Sequence, residues 1–190
     1  MLKDREIINH VTGQVIRFVK TGEETGGESL EMEAVYASFS KEPIAHFHPE
    51  QEEFFEVLSG ELTVRLNSDV KTYLAGERLH IKAGVLHSMW NASYKDALVK
   101  WTVQPALETA EFLSTLTALA NSGQTNSSGI PSLPLMIFLR HKYRDTFCLK
   151  SLNGKVLGFV NCLLSPLHAL YKSRKKINEA TYPSKLSVSK

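Results

Sequence analysis

Two short segments of this 190-residue chain concentrate side chains able to bind a metal. The first runs Pro43-Ile44-Ala45-His46-Phe47-His48-Pro49-Glu50-Gln51-Glu52-Glu53 and is followed by Gly60. The second runs from Gly76 to Asn91 and holds His80 and His87. His46 and His48 are two apart, so on a strand both imidazoles leave the same face. Pro49 to Glu52 can turn the chain, and a new strand then starts near Glu53. On that strand Glu53, Phe55 and Val57 share an otherwise apolar face, while Glu52 and Glu56 fit the outer one. An acid on an apolar interior face is costly unless something pairs with it, and imidazoles with a metal would do so. In the second segment Leu79 and Ile81 face one way, Arg78 and His80 the other. Beyond the Gly84 turn, His87 and Met89 alternate with Ser88 and Trp90, which makes His87 the natural third imidazole. Glu52 is the rival carboxylate, and parity makes it the poorer choice.

Three histidine nitrogens and one carboxylate suit a divalent transition metal. Four protein ligands would nearly fill a tetrahedral zinc site. A five- or six-coordinate Mn, Fe, Ni or Cu ion would keep positions open for substrate. The expected cofactor is therefore one divalent ion, Mn, Fe, Ni, Cu or Zn, held by His46, His48, Glu53 and His87. The expected lining of Phe55, Val57, Leu62, Val64, Met89 and Tyr36 is apolar, with the parity of the Tyr36 strand left open. A sugar phosphate or oxalate would want an inward Arg or Lys, and none is apparent. The expected ligand is thus a small apolar or aromatic molecule with one or two metal-binding oxygens, contacted by Phe55, Val57, Met89 and Tyr36.

The first segment resembles the cupin motif HxH-x4-E-x6-G, carried by His46, His48, Glu53 and Gly60. The second resembles the partner motif G-x5-P-x-G-x2-H-x3-N, carried by Gly76, Gly84, His87 and Asn91. Lys82 stands where the family usually has proline, which loses turn rigidity but no ligand. The fifteen residues between Gly60 and Gly76 fit a short hairpin between the motifs. The resemblance covers roughly residues 29–104 and implies a small jelly-roll β-barrel with the metal inside, often dimeric. It implies that Glu53 doubles as a catalytic base, as in the flavonol-cleaving cupins. Cupins include oxygenases, isomerases, decarboxylases, sensors and storage proteins, so the fold does not choose the chemistry. A metal-dependent oxygenase or isomerase and a non-catalytic binding or sensing module both remain open.

Positioning these residues requires strands. Short alternating runs occur at Gln14–Thr21, Leu30–Ser38, Ile44–His48, Glu53–Leu58, Glu61–Leu66, Arg78–Lys82, Leu86–Asn91 and Ala97–Gln104. Turn residues lie in or near most of the gaps, a pattern of antiparallel sandwiches and barrels. After Pro105 the period becomes helical, through Leu107, Phe112, Leu113, Leu116, Leu119 and Ala120. A polar loop, Asn121–Pro134, precedes a helix expected over Leu133–Phe147, with Ser132 as its cap and Pro134 in the first turn. A third helix is expected from about Asn153 to Lys175, kinked or split at Pro166. The expected fold is mainly β: a cupin-type barrel over residues 1–104, then a helical extension over 105–190.

The remaining composition narrows the partners. Residues 1–122 carry a net charge of −7 and residues 123–190 one of +9. Two cysteines, Cys148 and Cys162, are too few for a disulfide scaffold and read as reduced thiols. The charged N-terminus lacks a signal peptide's apolar run, and the 16-residue stretch Val156–Tyr171 falls short of the ~20 needed for a spanning helix. A cytoplasmic protein is expected. The outer apolar positions Phe54, Leu58 and Trp90, with the family resemblance, point to a homodimer. The cluster Lys172-Ser173-Arg174-Lys175-Lys176 reads as a solvated helix end, so no nucleic-acid partner is expected. Docking of the extension on the barrel is favoured over peripheral contact of Val156–Lys176 with an anionic membrane. His80 is placed on the outer face with Arg78, and His10, His141 and His168 are expected to be ordinary.

Overall fold

The computed structural model describes residues 5–149. The expected third helix, Cys162, Pro166, His168, the 172–176 basic cluster and the candidate membrane segment lie outside the described residues. The described elements are β1 (Glu6–Ile8), β2 (Val15–Lys20), β3 (Leu30–Tyr36), β4 (His46–Phe47), β5 (Glu52–Ser59), β6 (Glu61–Leu66), β7 (Asp69–Leu74), β8 (Arg78–Ile81), β9 (His87–Trp90), β10 (Ala97–Gln104), α1 (Thr109–Asn121), α2 (Leu133–Lys142) and β11 (Cys148–Leu149).

Two antiparallel sheets form a jelly roll without closing into one continuous ladder. One sheet has the order β1-β2-β3-β10-β5-β8, the other β11-β4-β9-β6-β7. Alternation drives this pairing. β3 buries every second residue, Leu30, Met32, Ala34 and Tyr36, and β10 buries Ala97, Val99, Trp101 and Val103. These faces meet Leu62 and Val64 of β6 and Met89 of β9 in one apolar cluster. Each fully buried aliphatic side chain contributes roughly 1.5–3 kcal/mol relative to exposure, so a one-residue slip in these strands would invert the core.

Two glycines of the paired motifs fix the corners. Gly60 has φ 75°, and a Cβ there would lie 2.5 Å from the Asp96 carbonyl oxygen. Gly84, with φ 77°, donates its N–H to the His48 carbonyl at 2.8 Å, tying the second motif's turn to the first motif. Lys82 fits because that turn is also closed by Val85 N–H to the Lys82 carbonyl, at 3.2 Å. Asn91 is fully buried and donates to the carbonyls of Tyr36 and Lys95, so its work is to join the end of β9 to that of β3.

Three elements differ from the sequence reading. β7 is an almost wholly exposed edge strand whose alternating Val70, Thr72 and Leu74 are not buried. β1 is three residues long. The helix expected through Phe147 ends at Lys142, because Phe147 is taken by aromatic contacts and Cys148–Leu149 pair with β4 as β11. Tyr143, wholly buried, closes α2 against α1: its hydroxyl lies 3.0 Å from Thr115 Oγ1 and 2.8 Å from Lys142 Nζ, and its ring meets Phe112 edge-on. No helix among the described residues is long and apolar enough to cross a membrane.

Candidate metal centre

The hairpin geometry brings the two motifs together. His46 of β4 pairs directly with His87 of β9, and one ring nitrogen from each of His46, His48 and His87 lies within 4.8 Å of the others. Glu53, 1% exposed, enters from β5 in the opposite sheet. Its Oε2 lies 3.3 Å from His48 Nε2 and 2.9 Å from His87 Nε2. Glu52, one residue earlier, turns outward and meets His80 Nε2 at 2.7 Å, with Phe54 stacked on the same imidazole.

Backbone carbonyls fix which nitrogen of each ring faces inward. His46 Nδ1 lies 3.3 Å from the Ile44 carbonyl, His87 Nδ1 lies 2.9 Å from that of Val85, and His48 Nδ1 meets that of Thr146. Each Nδ1 therefore donates, which leaves Nε2 bare with its lone pair toward the centre. His48 Nε2, His87 Nε2 and Glu53 Oε2 are all buried without a hydrogen-bond partner, although they stand this close. Lone pairs converging in a dry site repel unless a cation lies between them. With metal–ligand bonds of ~2.1 Å, neighbouring donors stand about 3.0 Å apart in an octahedral ion and about 3.4 Å apart in a tetrahedral one. The two carboxylate–imidazole separations fall at about these values. The donor set fits a divalent metal.

The electrostatics agree with that fit. Burial pushes the His46 imidazole down to about 3, reinforced by His87 and His48. Burial alone would raise the Glu53 carboxyl, but the His48 and His87 imidazoles hold it well below the usual carboxylate range. Burial opposes charge on His48 as well, yet the Glu53 carboxylate wins and raises its pKa. A proton on His48 satisfies one pair of the converging atoms; a divalent cation satisfies all of them.

Around these residues lies a cavity of about 220 Å³. Tyr36, Met89 and Trp101 line it from the sheets, Leu113 and Leu116 from α1, Ile130 from the polar loop, and Met136 and Leu139 from α2. Phe55 and Val57 belong to the core cluster and are not among the lining residues; Phe55 stacks on Trp101 instead. Leu62 and Val64 likewise lie in the core. Sequence reasoning missed Trp101, whose Nε1–H donates to Glu53 Oε1 at 3.0 Å and leaves Oε2 for the centre. Its inward parity with Val99 and Val103 was the available signal. It also missed Gln51, which is buried and donates to the carbonyls of Pro105 and Ala106 and to Thr109 Oγ1, pinning the start of α1. No sequence signal announced the Thr146 carbonyl or Phe147, whose ring lies 4.8 Å from that of His46.

Residues 36–103 match the family model described as "Cupin domain". This part of the chain is a cupin domain. A protein from Arthrobotrys oligospora named as an oxidoreductase is 44% identical over 52 residues, 26% of this chain. The match spans only 20% of that curated relative's length. Among solved structures, an RmlC-like cupin from Shewanella frigidimarina is similar at 18% identity and a TM-score of 0.47, covering 58% of this chain and 92% of that one. A double-stranded β-helix protein from Klebsiella pneumoniae matches at 21% identity and a TM-score of 0.44, covering 50% and 78%. With its histidine triad, the cupin domain has a site positioned for a metal ion.

Proposed function

We propose that this cupin binds one divalent transition metal through His46, His48, Glu53 and His87 and acts on a small, largely apolar or aromatic molecule as an oxygenase or isomerase. The observation that carries this reading is the set of buried, unpartnered acceptor atoms converging at an otherwise apolar cavity. A bound ion would supply Lewis acidity toward a substrate oxygen and, if redox-active, a route for electrons to O2. The chain's own residues provide the rest. Trp101 Nε1–H fixes Glu53 Oε1, which turns Oε2 toward the ion it would help to hold. Burial, then the charge of Glu53, raises the Tyr36 pKa, so its hydroxyl keeps its proton and can donate a hydrogen bond. The name of the Arthrobotrys relative favours the oxidoreductase arm.

Elemental analysis of the purified chain, followed by oxygen uptake with a panel of phenols, tests the proposal. Iron, manganese, nickel or copper at one equivalent with substrate-dependent uptake is the expected result. One tetrahedral zinc that no small molecule perturbs would leave a non-catalytic binding or sensing module. We also infer a homodimer through the outer sheet face, where Phe54 and Leu58 are exposed; light scattering should give twice the 21.3 kDa chain mass.

A further inference from the structure

The cavity's lining specifies more than apolarity. Among the described residues, Glu53 is the lining residue with a fixed charge, and no Lys, Arg or Asp lines the cavity. Gln14, Tyr36, Trp101, Thr109 and Ser128 are its neutral polar side chains outside the donor set. Trp101 Nε1 is bound to Glu53 and Thr109 Oγ1 accepts from Gln51, while the Tyr36 hydroxyl makes no hydrogen bond among the described residues. A carboxylate or phosphate entering here would lose its hydration and meet no cationic side chain in return. Size adds a second limit. An apolar cavity of roughly 150 Å³ suffices for benzene, and at about 220 Å³ this one exceeds it by only a few non-hydrogen atoms.

The walls come from two sources. The sheets supply the donor set with Tyr36, Met89 and Trp101, whereas much of the apolar surface comes from Leu113, Leu116, Ile130, Met136 and Leu139. These five residues follow the cupin-matched segment, which ends at 103. They are held firmly: Gln51 pins the start of α1 to the domain, Tyr143 locks α2 to α1, and β11 returns to pair with β4.

We propose that the cavity selects an uncharged molecule of about one substituted ring, and that α1, the 128–131 loop and α2 rather than the cupin domain make that selection. This rests on the proposed metal-anchored site for what the molecule does, but not for what fits. The test therefore uses the full chain both metal-free and loaded with one equivalent of cobalt, with metal content measured separately. The probes are p-cresol, 4-hydroxybenzoate (the same ring with a carboxylate) and 4-phenylphenol (a second ring), followed by calorimetry and thermal shift. In the metal-free chain p-cresol should bind at least tenfold more tightly than either other probe, and with cobalt bound it should keep that margin over 4-phenylphenol. Leu116→Trp should weaken p-cresol at least tenfold with metal content unchanged, and Leu116→Ala should admit 4-phenylphenol. Met136→Trp serves if Leu116→Trp does not fold. Equal binding of the three probes, binding of none, or wall variants that leave the ranking unchanged would overturn the inference. Failure to take up cobalt, with the ranking preserved, would sink the metal-centred reading and leave this one standing.

Discussion

His46 and His87 take their Nδ1 partners from carbonyls two residues back in their own chain, whereas His48 takes its from Thr146, 98 residues away. Two of the three imidazoles are thus oriented by the loop residues that lead into their own strands. The third is oriented by the segment that follows α2. The same division runs through the site: the cupin domain provides the donor atoms, and the extension provides much of the wall around them. Chemistry can therefore be kept by short local motifs while the surface that meets a substrate is set by a separate stretch of chain. Outer-shell partners of this kind typically change metal affinity by 10–100-fold when lost, so the extension would be coupled to a bound ion as well as to the cavity.

The sharpest way to break this comparison is to remove a ligand. His48→Ala or His87→Ala should remove most bound metal and lower the melting temperature. With free metal at about 100 times Kd, the linked stabilisation forfeited is ~2.7 kcal/mol. Elemental analysis and a melting curve with and without added metal check this, and full occupancy in either variant would refute the assignment. Glu53→Gln should weaken metal binding at least tenfold, since it removes the one carboxylate in the set. Glu52→Gln should leave metal content unchanged and cost only ~0–1 kcal/mol, because its contact with His80 is exposed. If Glu52→Gln lost the metal and Glu53→Gln kept it, the inward parity of β5 would be misassigned.

Phe147→Ala probes the extension's side. Its ring bridges His46 and Phe112, with centroids 4.8 and 4.7 Å away. Truncating a fully buried phenylalanine costs about 3–5 kcal/mol, and this half-buried one should cost less. Metal affinity should fall by up to tenfold, a smaller loss than for His48→Ala. Calorimetric titration of metal into both variants ranks them. An unchanged affinity with lowered stability would mean that the extension walls the cavity without steadying the ligands.

How far this division could be read in advance follows the same line. The motif residues declared themselves through period-two spacing, and parity alone separates Glu53 from Glu52, because an inward acid among Phe55 and Val57 has to be explained. The expected placement of His80 on the outer face rested on the same alternation. What sequence did not carry was contact made by backbone or across long separation. The Thr146 carbonyl has no side-chain signature, and the alternation of Val70, Thr72 and Leu74 in β7 accompanies no buried face. Trp101 was open to inference from parity, but nothing local says that its N–H reaches Glu53. Phe55 and Val57 show the limit of parity: both point inward, yet inward includes a packed core as well as a cavity.

A small effect is expected beside His87, outside the donor set. Ser88 follows His87 in β9 and is wholly buried; its hydroxyl donates to Glu42 Oε1 at 2.6 Å, and Glu42 also accepts from Arg65 Nε at 2.7 Å. The Arg65 hydrogen bond is the largest cause of a Glu42 pKa held below its ordinary 4.5, with the Ser88 hydroxyl also lowering it against burial. A carboxyl lowered on folding contributes stability above its unfolded value and loses it as the pH falls through the folded one. Glu42→Gln should therefore cost about 0.5–1.5 kcal/mol at pH 7, and the gap to the wild type should shrink as the pH falls below 4.5. Urea unfolding at several pH values checks the sign. Metal content should not change, because Glu42 touches Ser88 and Arg65 and no member of the donor set. A loss of metal in Glu42→Gln would show that His87 depends on more than the Val85 carbonyl for its orientation.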